Sequence, residues 1–439
     1  MSWVFNCVFG AAAACLVPYW LWKLPQGRRY RAGILQRLGF VPHLPTSPRL
    51  WLHCASVGEA AIPRRLVAEI RRRRPGWEIV FSTNTDTGAR RLEELYPESR
   101  VFYMPLDFSF CVGRALERVR PSMVLLVELE IWPNFLEACR ARHVPVAIVS
   151  GRIGRGSRRL LRVLNRLWPH LWDGVRICCA RSREDAAGFR AVGMCEEAVC
   201  TSGSLKYDAL RTDFRPAELE QMARTFAIEP GDPVLVAGST HRGEEAALAG
   251  AYRDLKIKHR RLRLIIAPRH IERAAQIRAA LRSRGFSIAE KTVLDAEQRS
   301  APEDAVILLD TIGELTKCYA LATCAFVGRS LNPPGGGQNM MEPAALGKPV
   351  LVGPHTGNFR PEMRLLREND AVLAVRDRAE LVRELDRLLS NPDQAGTIGR
   401  AARSVILESQ GATERTLTKL EGVFRQAELS REKGRVHPA

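Results

Sequence analysis

A chain of 439 residues is too long for one ordinary core, so two or three domains are expected. At 46% hydrophobic and 26% charged residues, its composition excludes disorder as the default state. A formal net charge of +18 calls for an acidic partner, whether nucleic acid, an anionic membrane surface or a phosphate-rich substrate. The 11 cysteines contain no Cys-x-x-Cys pair and read as small buried hydrophobes in a reducing compartment.

The first segment, Ser2 to Trp22, carries no charge and is rich in Val, Phe, Ala, Leu and Trp. At roughly 20 residues it could cross a bilayer core. Lys23, Arg28, Arg29, Arg31 and Arg37 follow it, the reverse of a cleaved signal peptide. The positive-inside rule then keeps everything after Trp22 in the cytoplasm. A membrane anchor over 1–22 is expected, against the blander reading of a buried hydrophobic hairpin. Asn6, Pro18 and the Ala-rich middle make it a weak span that could enter the bilayer without crossing it.

Short apolar runs then alternate with amphipathic ones. Strands are expected at Leu50–Ala55, Ile79–Ser82, Val101–Met104, Met123–Val127, Val146–Ser150 and Ile177–Ala180. Helices are expected between them, among them Glu59–Arg74, Gly88–Leu95 and Phe135–Arg142. The rhythm breaks near Asp208–Pro216. It restarts with strands at Val234–Ala237, Arg263–Ala267, Val306–Leu308, Cys324–Val327 and Val350–Val352, and with helices at Glu244–His259 and Glu272–Arg284. This alternation predicts an α/β chain of two parallel-sheet halves facing across a cleft, with ligands at the loops that follow strands. The expected division is an anchor at 1–22, an acceptor-type domain at 23–210, a nucleotide-type domain at 211–425 including C-terminal helices, and a basic tail at 426–439.

Several post-strand loops carry chemistry. In Ser56-Val57-Gly58-Glu59, Glu59 falls near a helix amino terminus, where the dipole favours a carboxylate that could take a proton. Taken alone, it is equally an ordinary first-turn glutamate. Glu128-Leu129-Glu130-Ile131-Trp132-Pro133-Asn134 puts two acids at a strand end, which demands a nearby cation or proton; a capping region with one salt bridge is the bland alternative. In Gly203-Ser204-Leu205-Lys206-Tyr207-Asp208, Lys206 is either a phosphate contact or a solvated linker residue. In the second half, Gly238–Glu245 opens a helix in an anion-binding arrangement. Arg269 of Pro268-Arg269-His270 could fork onto phosphate. Gly313-Glu314-Leu315 and Gly335–Pro343 lead into helices, and Asn339 and Glu342, three apart, could share one face toward a ribose.

Taken together and in order, these motifs resemble the 3-deoxy-D-manno-octulosonic acid (Kdo) transferases of lipopolysaccharide synthesis, from the amino terminus to about residue 400. The resemblance implies a GT-B fold whose first domain binds the acceptor and whose second binds CMP-Kdo. It implies an inverting transfer of Kdo to a lipid A precursor (lipid IVA) at the cytoplasmic face of the bacterial inner membrane. It makes Glu59 the general base, and it makes Glu130, in preference to Glu128, and Lys206 the groups that stabilise the transition state. Pro268, Arg269, Gly313, Glu314, Leu315, Asn339, Met340, Met341 and Glu342 match positions that hold CMP. No metal and no cofactor is expected, and the basic surface is assigned to an anionic membrane and a phosphorylated acceptor, with no nucleic acid. The family usually has Thr at Leu129, Asn at Ser204, Gly at Arg329 and His at Gln338. The rival readings are another GT-B sugar-nucleotide transferase or epimerase, and a non-enzymatic basic membrane or nucleic-acid binder. Against the latter, aromatic residues make up only 7%.

Overall fold

The computed structural model describes residues 33–436. The expected anchor at 1–22 lies outside the described residues. Among those described, no helix is long and apolar enough to cross a membrane.

The chain divides into two compact units. The first runs to Ala209 and takes the chain back from Ser409; the second spans Leu210–Glu408. In the first, seven parallel strands are ordered β3-β2-β1-β4-β5-β6-β7. They are β1 (Arg49–His53), β2 (Glu78–Thr83), β3 (Val101–Tyr103), β4 (Met123–Val127), β5 (Val146–Gly151), β6 (Val175–Ala180) and β7 (Val199–Thr201). The second sheet is ordered β10-β11-β9-β8-β12-β13-β14. Its strands are β8 (Val234–Thr240), β9 (Arg263–Pro268), β10 (Ile288–Glu290), β11 (Val306–Leu308), β12 (Cys324–Val327), β13 (Val350–Val352) and β14 (Leu373–Ala374). Helices cover both faces of each sheet, which is why β1, β4 and β5 are buried at every position and read as unbroken apolar runs.

Both sheets receive a buried arginine where a strand begins. Arg49 is 0% exposed, yet its guanidinium meets Glu78 Oε2 at 2.6 Å and the Pro45 carbonyl at 2.8 Å. Arg263 does the same at β9, donating to the carbonyls of Phe226 at 2.8 Å and Pro302 at 3.1 Å. A buried cation is tolerated because carboxylate and carbonyl oxygens satisfy its N–H donors.

Two expectations need correction. The helix expected over Glu59–Arg74 is two helices, Val57–Ala60 and Arg64–Arg73. Pro63 stands at the break, where it has no N–H to continue the ladder. The C-terminal helices also do not all stay with the second half. The last helix, Ala412–Val436, packs Leu417, Leu420, Phe424 and Ala427 into the first unit's core beside Leu66 and Ile70. Asp208, 5% exposed, fastens it by accepting from the backbone N–H groups of Gly411, at 2.7 Å, and Thr413. An apolar face follows the sheet that can bury it, whatever its position in the chain.

Candidate active site

In the first sheet the strand order reverses between β1 and β4, and this switch point leaves a crevice at their carboxyl ends. The acidic motifs fall there: Glu59 follows β1, and Glu128 and Glu130 follow β4.

Glu59 sits in a helix of only four residues, so little dipole supports its charge. Two local donors do so instead. The Ala55 N–H donates to Glu59 Oε2 at 2.9 Å, and the Ser56 hydroxyl donates to Oε1 at 3.0 Å. The net effect on its pKa is upward. Burial pushes the carboxyl up, these two bonds pull it down, and the negative charges of Glu130 and Glu128 push it up again. A carboxyl poised above the usual carboxylate range holds a proton more firmly than a free one, which is what a base needs.

Glu130 is 18% exposed and collects donors on one oxygen. Trp132 Nε1 donates to Oε2 at 3.1 Å, Asn84 Nδ2 lies at 3.4 Å, and His53 Nε2 faces it at 3.5 Å. Behind His53, Nδ1 is 2.8 Å from Ser82 Oγ, which already accepts from the Trp51 indole at 2.7 Å. Glu128 adopts φ 60°, a left-handed conformation uncommon for a residue with a Cβ, and Lys206 Nζ meets its Oε1 at 2.9 Å. Lys206 therefore pairs with Glu128, the other acid of the motif. The rest of the motif is scaffolding. Pro133 opens the helix Pro133–Ala141, and buried Asp107 accepts from the N–H groups of Asn134 at 3.0 Å and Phe135 at 2.8 Å. Burial raises the Asp107 carboxyl to about 7 despite those two bonds.

In the second sheet the order reverses between β8 and β12. The loop after β8 is not the open anion cradle expected of Gly238–Glu245. The Glu244 carboxylate, 1% exposed, fills it, accepting from the N–H groups of His241, Arg329, Ser330 and Leu331 at 2.8–2.9 Å. The ring of His241 lies 5.7 Å from that of His270, bringing the loops after β8 and β9 together. Burial lowers the His241 pKa, and its Nδ1 is 3.2 Å from the Ser239 carbonyl.

Pro268 ends β9, and Arg269 beside it is exposed, with its charge felt at Glu342. Asn339 Nδ2 donates to Glu342 Oε1 at 2.8 Å, so the pair three residues apart does share a face. Burial raises the Glu342 carboxyl, against that bond and the Arg269 charge. Met340 and Met341 are 0% and 4% exposed, so both pack inward. In the glycine loop Gly335, Gly336 and Gly337 all have positive φ, and the N–H groups of Gly336 and Gly337 go to the carbonyls of His355 and Arg329. Gly313, at φ 90°, turns the chain so that Glu314 accepts from the Thr311 hydroxyl at 2.5 Å and Leu315 begins the helix Leu315–Leu321. Arg329, where the resemblance expects Gly, is at φ 55°.

Reading the sequence alone missed His53, Ser82 and Asn84. His53 is the last residue of β1, three before the Ser56 motif, and looked like part of an apolar strand. Its signal was a histidine at the strand end that leads into an acidic loop.

The two parallel-sheet, Rossmann-like units place this chain in a two-domain α/β structural class. A glycosyltransferase from Rickettsia africae shares the fold at 12% identity, with a TM-score of 0.52, over 87% of this chain and 99% of that one. A UDP-GlcNAc 2-epimerase from Neisseria meningitidis shares it at 15% identity, with a TM-score of 0.55, over 82% and 99%. Sequence is more specific. The family described as 3-Deoxy-D-manno-octulosonic-acid transferase (kdotransferase) matches residues 32–209, and a glycosyl transferase-like family matches residues 328–421. The 3-deoxy-D-manno-octulosonic acid transferase of Bordetella pertussis is 32% identical over 94% of this chain and 98% of its own length. That of Haemophilus influenzae is 30% identical over 89% and 91%. The chain belongs to the 3-deoxy-D-manno-octulosonic acid transferase family, a family of glycosyltransferases.

Proposed function

We propose that the chain transfers Kdo from CMP-Kdo to a lipid A precursor, lipid IVA, at the cytoplasmic face of the bacterial inner membrane, with residues 1–22 as its anchor. The observation that carries the mechanism is Glu59, ionisable at a strand end and bonded by Ala55 and Ser56. Glu59 accepts the proton of an acceptor hydroxyl as that oxygen attacks the anomeric carbon of Kdo. The new C–O bond forms while the bond to the CMP phosphate breaks, and CMP leaves with the electron pair, with inversion. Lys206, Glu128 and Glu130 set the charge around this centre in the first unit, Glu130 being the preferred transition-state group. In the second unit, Arg269 meets the phosphate, where its charge offsets the negative charge growing on the leaving group. Pro268, Gly313, Glu314, Leu315, Met340 and Met341 line the nucleotide, and Asn339 with Glu342 holds the ribose.

The test is incubation of the full chain with CMP-Kdo and a tetra-acylated lipid A precursor. The expected product is heavier by Kdo and carries an inverted anomeric linkage, with CMP released. No Kdo transfer under conditions in which the protein binds CMP would overturn the reading.

A further inference from the structure

The helix Arg155–Leu167 has no place in the chemistry, and its surface is unusual. It buries only Leu161 fully, while Leu160, Val163 and Leu167 are 61%, 53% and 69% exposed. Spaced three and four apart, these three form one stripe along the helix. Arg155, Arg159, Arg162 and Arg166 form a second stripe at the same spacing, and all four are exposed. No carboxylate pairs with any of the four among the described residues, whereas neighbouring Arg158 faces Glu184 at 3.6 Å. The helix contains no Asp or Glu. Its inward side is already occupied, with Leu161 and Trp168 in the core and Leu164 packed against it. The exposed apolar stripe is therefore additional to the face that holds the helix on the sheet.

We infer that this helix docks the first unit on an anionic bilayer. A helix lying in the membrane interface needs an apolar stripe to enter the acyl boundary and cations beside it to meet lipid phosphates. Arginine suits this role because its aliphatic stem can lie along the apolar zone while the guanidinium reaches the headgroups. Charge complementarity selects this partner. Four unpaired arginines and no acid would repel most basic surfaces and would be left unsatisfied by an apolar one. The helix also starts where a lipid substrate is needed. It follows β5 at the carboxyl edge of the sheet, and the Arg152 N–H just before it donates to the Glu128 carbonyl at 3.4 Å. A bilayer at this helix would present a lipid acceptor to the edge that carries Glu59, Glu128 and Glu130. This inference rests on the proposed reading in one respect, that the acceptor is a lipid.

The experiment is co-sedimentation of the full chain with vesicles of equal parts phosphatidylglycerol and phosphatidylethanolamine, and with phosphatidylcholine vesicles. Wild type is compared with Leu160→Ser/Val163→Ser/Leu167→Ser and with Arg159→Gln/Arg166→Gln, each tested also without residues 1–22 so that the proposed anchor does not hold every variant on the vesicle alike. The apolar variant is expected to lower vesicle partitioning about tenfold, and the arginine variant to weaken binding to the anionic vesicles only. Both are expected to transfer Kdo to detergent-dispersed acceptor at the wild-type rate, which reports an intact fold. Wild-type partitioning by both variants would overturn the inference. So would loss of self-association on a sizing column with vesicle binding unchanged, which would assign the stripe to a second copy of the chain. Failure of the wild type to transfer Kdo in detergent would strike the proposed function instead and leave the vesicle result standing.

Discussion

Replacing Lys206 by Met removes one charge while keeping most of the side chain's volume. The ammonium lies 2.9 Å from Glu128 Oε1, with the two side chains 31% and 17% exposed. At that separation and an effective dielectric near 20, the gross attraction is about 6 kcal/mol. Partial exposure and the cost of taking both charges from water remove much of it, leaving a loss of about 2–3 kcal/mol on truncation. If the ammonium supports the transition state, that loss appears as a fall of roughly 30- to 150-fold in kcat/KM. A steady-state assay of CMP release with the lipid acceptor reads it directly. The double variant Lys206→Met/Glu128→Gln separates two meanings of the result. Should the pair be merely structural, removing both charges restores activity along with stability. Should Lys206 act on the reacting atoms, stability recovers and activity does not. Activity of Lys206→Met within threefold of wild type, or full recovery in the double variant, would show that the Lys206 ammonium does not support the transition state.

Further predictions concern pH and stability. Because the acid limb of kcat/KM reports protonation of Glu59, activity is lost as pH falls through a value above the ordinary carboxylate range; Ser56→Ala removes a bond to the charged form and moves that limb to higher pH, and an unmoved limb would detach the base from Glu59. Asp208→Ala leaves the Gly411 and Thr413 N–H groups without their acceptor and is expected to cost about 1–3 kcal/mol in urea unfolding, a change under 0.5 kcal/mol counting against its role as a fastener. Arg329→Gly relieves the left-handed conformation at φ 55° and is expected to raise stability by about 0.5–1 kcal/mol, a lower melting temperature being the contrary result.

What the sequence made legible follows from burial. Strands such as Met123–Val127 and Cys324–Val327 are continuous apolar runs bounded by polar residues, so they could be read directly. The edge strands β7, β10 and β14 interrupt their apolar residues with polar or small ones and leave no run to read, whereas β3, an equally short edge strand, is Val-Phe-Tyr throughout. Pro63 was visible, yet amphipathicity on both sides of it suggested one helix. The fate of Ala412–Val436 was illegible because an apolar face does not name the sheet that will cover it. In the site, the acidic motifs stood out because paired charges at strand ends are costly. Which acid meets Lys206, and that the chain's own Glu244 occupies the loop after β8, depend on distances that only the fold sets.

Glu59 is proposed as the base, and the direct measurement is single-turnover transfer by Glu59→Gln with CMP-Kdo and acceptor both saturating. Gln keeps an oxygen to accept from the Ala55 N–H and cannot hold the proton, so the fold and CMP affinity are expected to match wild type while transfer slows by about 10²- to 10⁴-fold. Transfer at the wild-type rate would contradict the account.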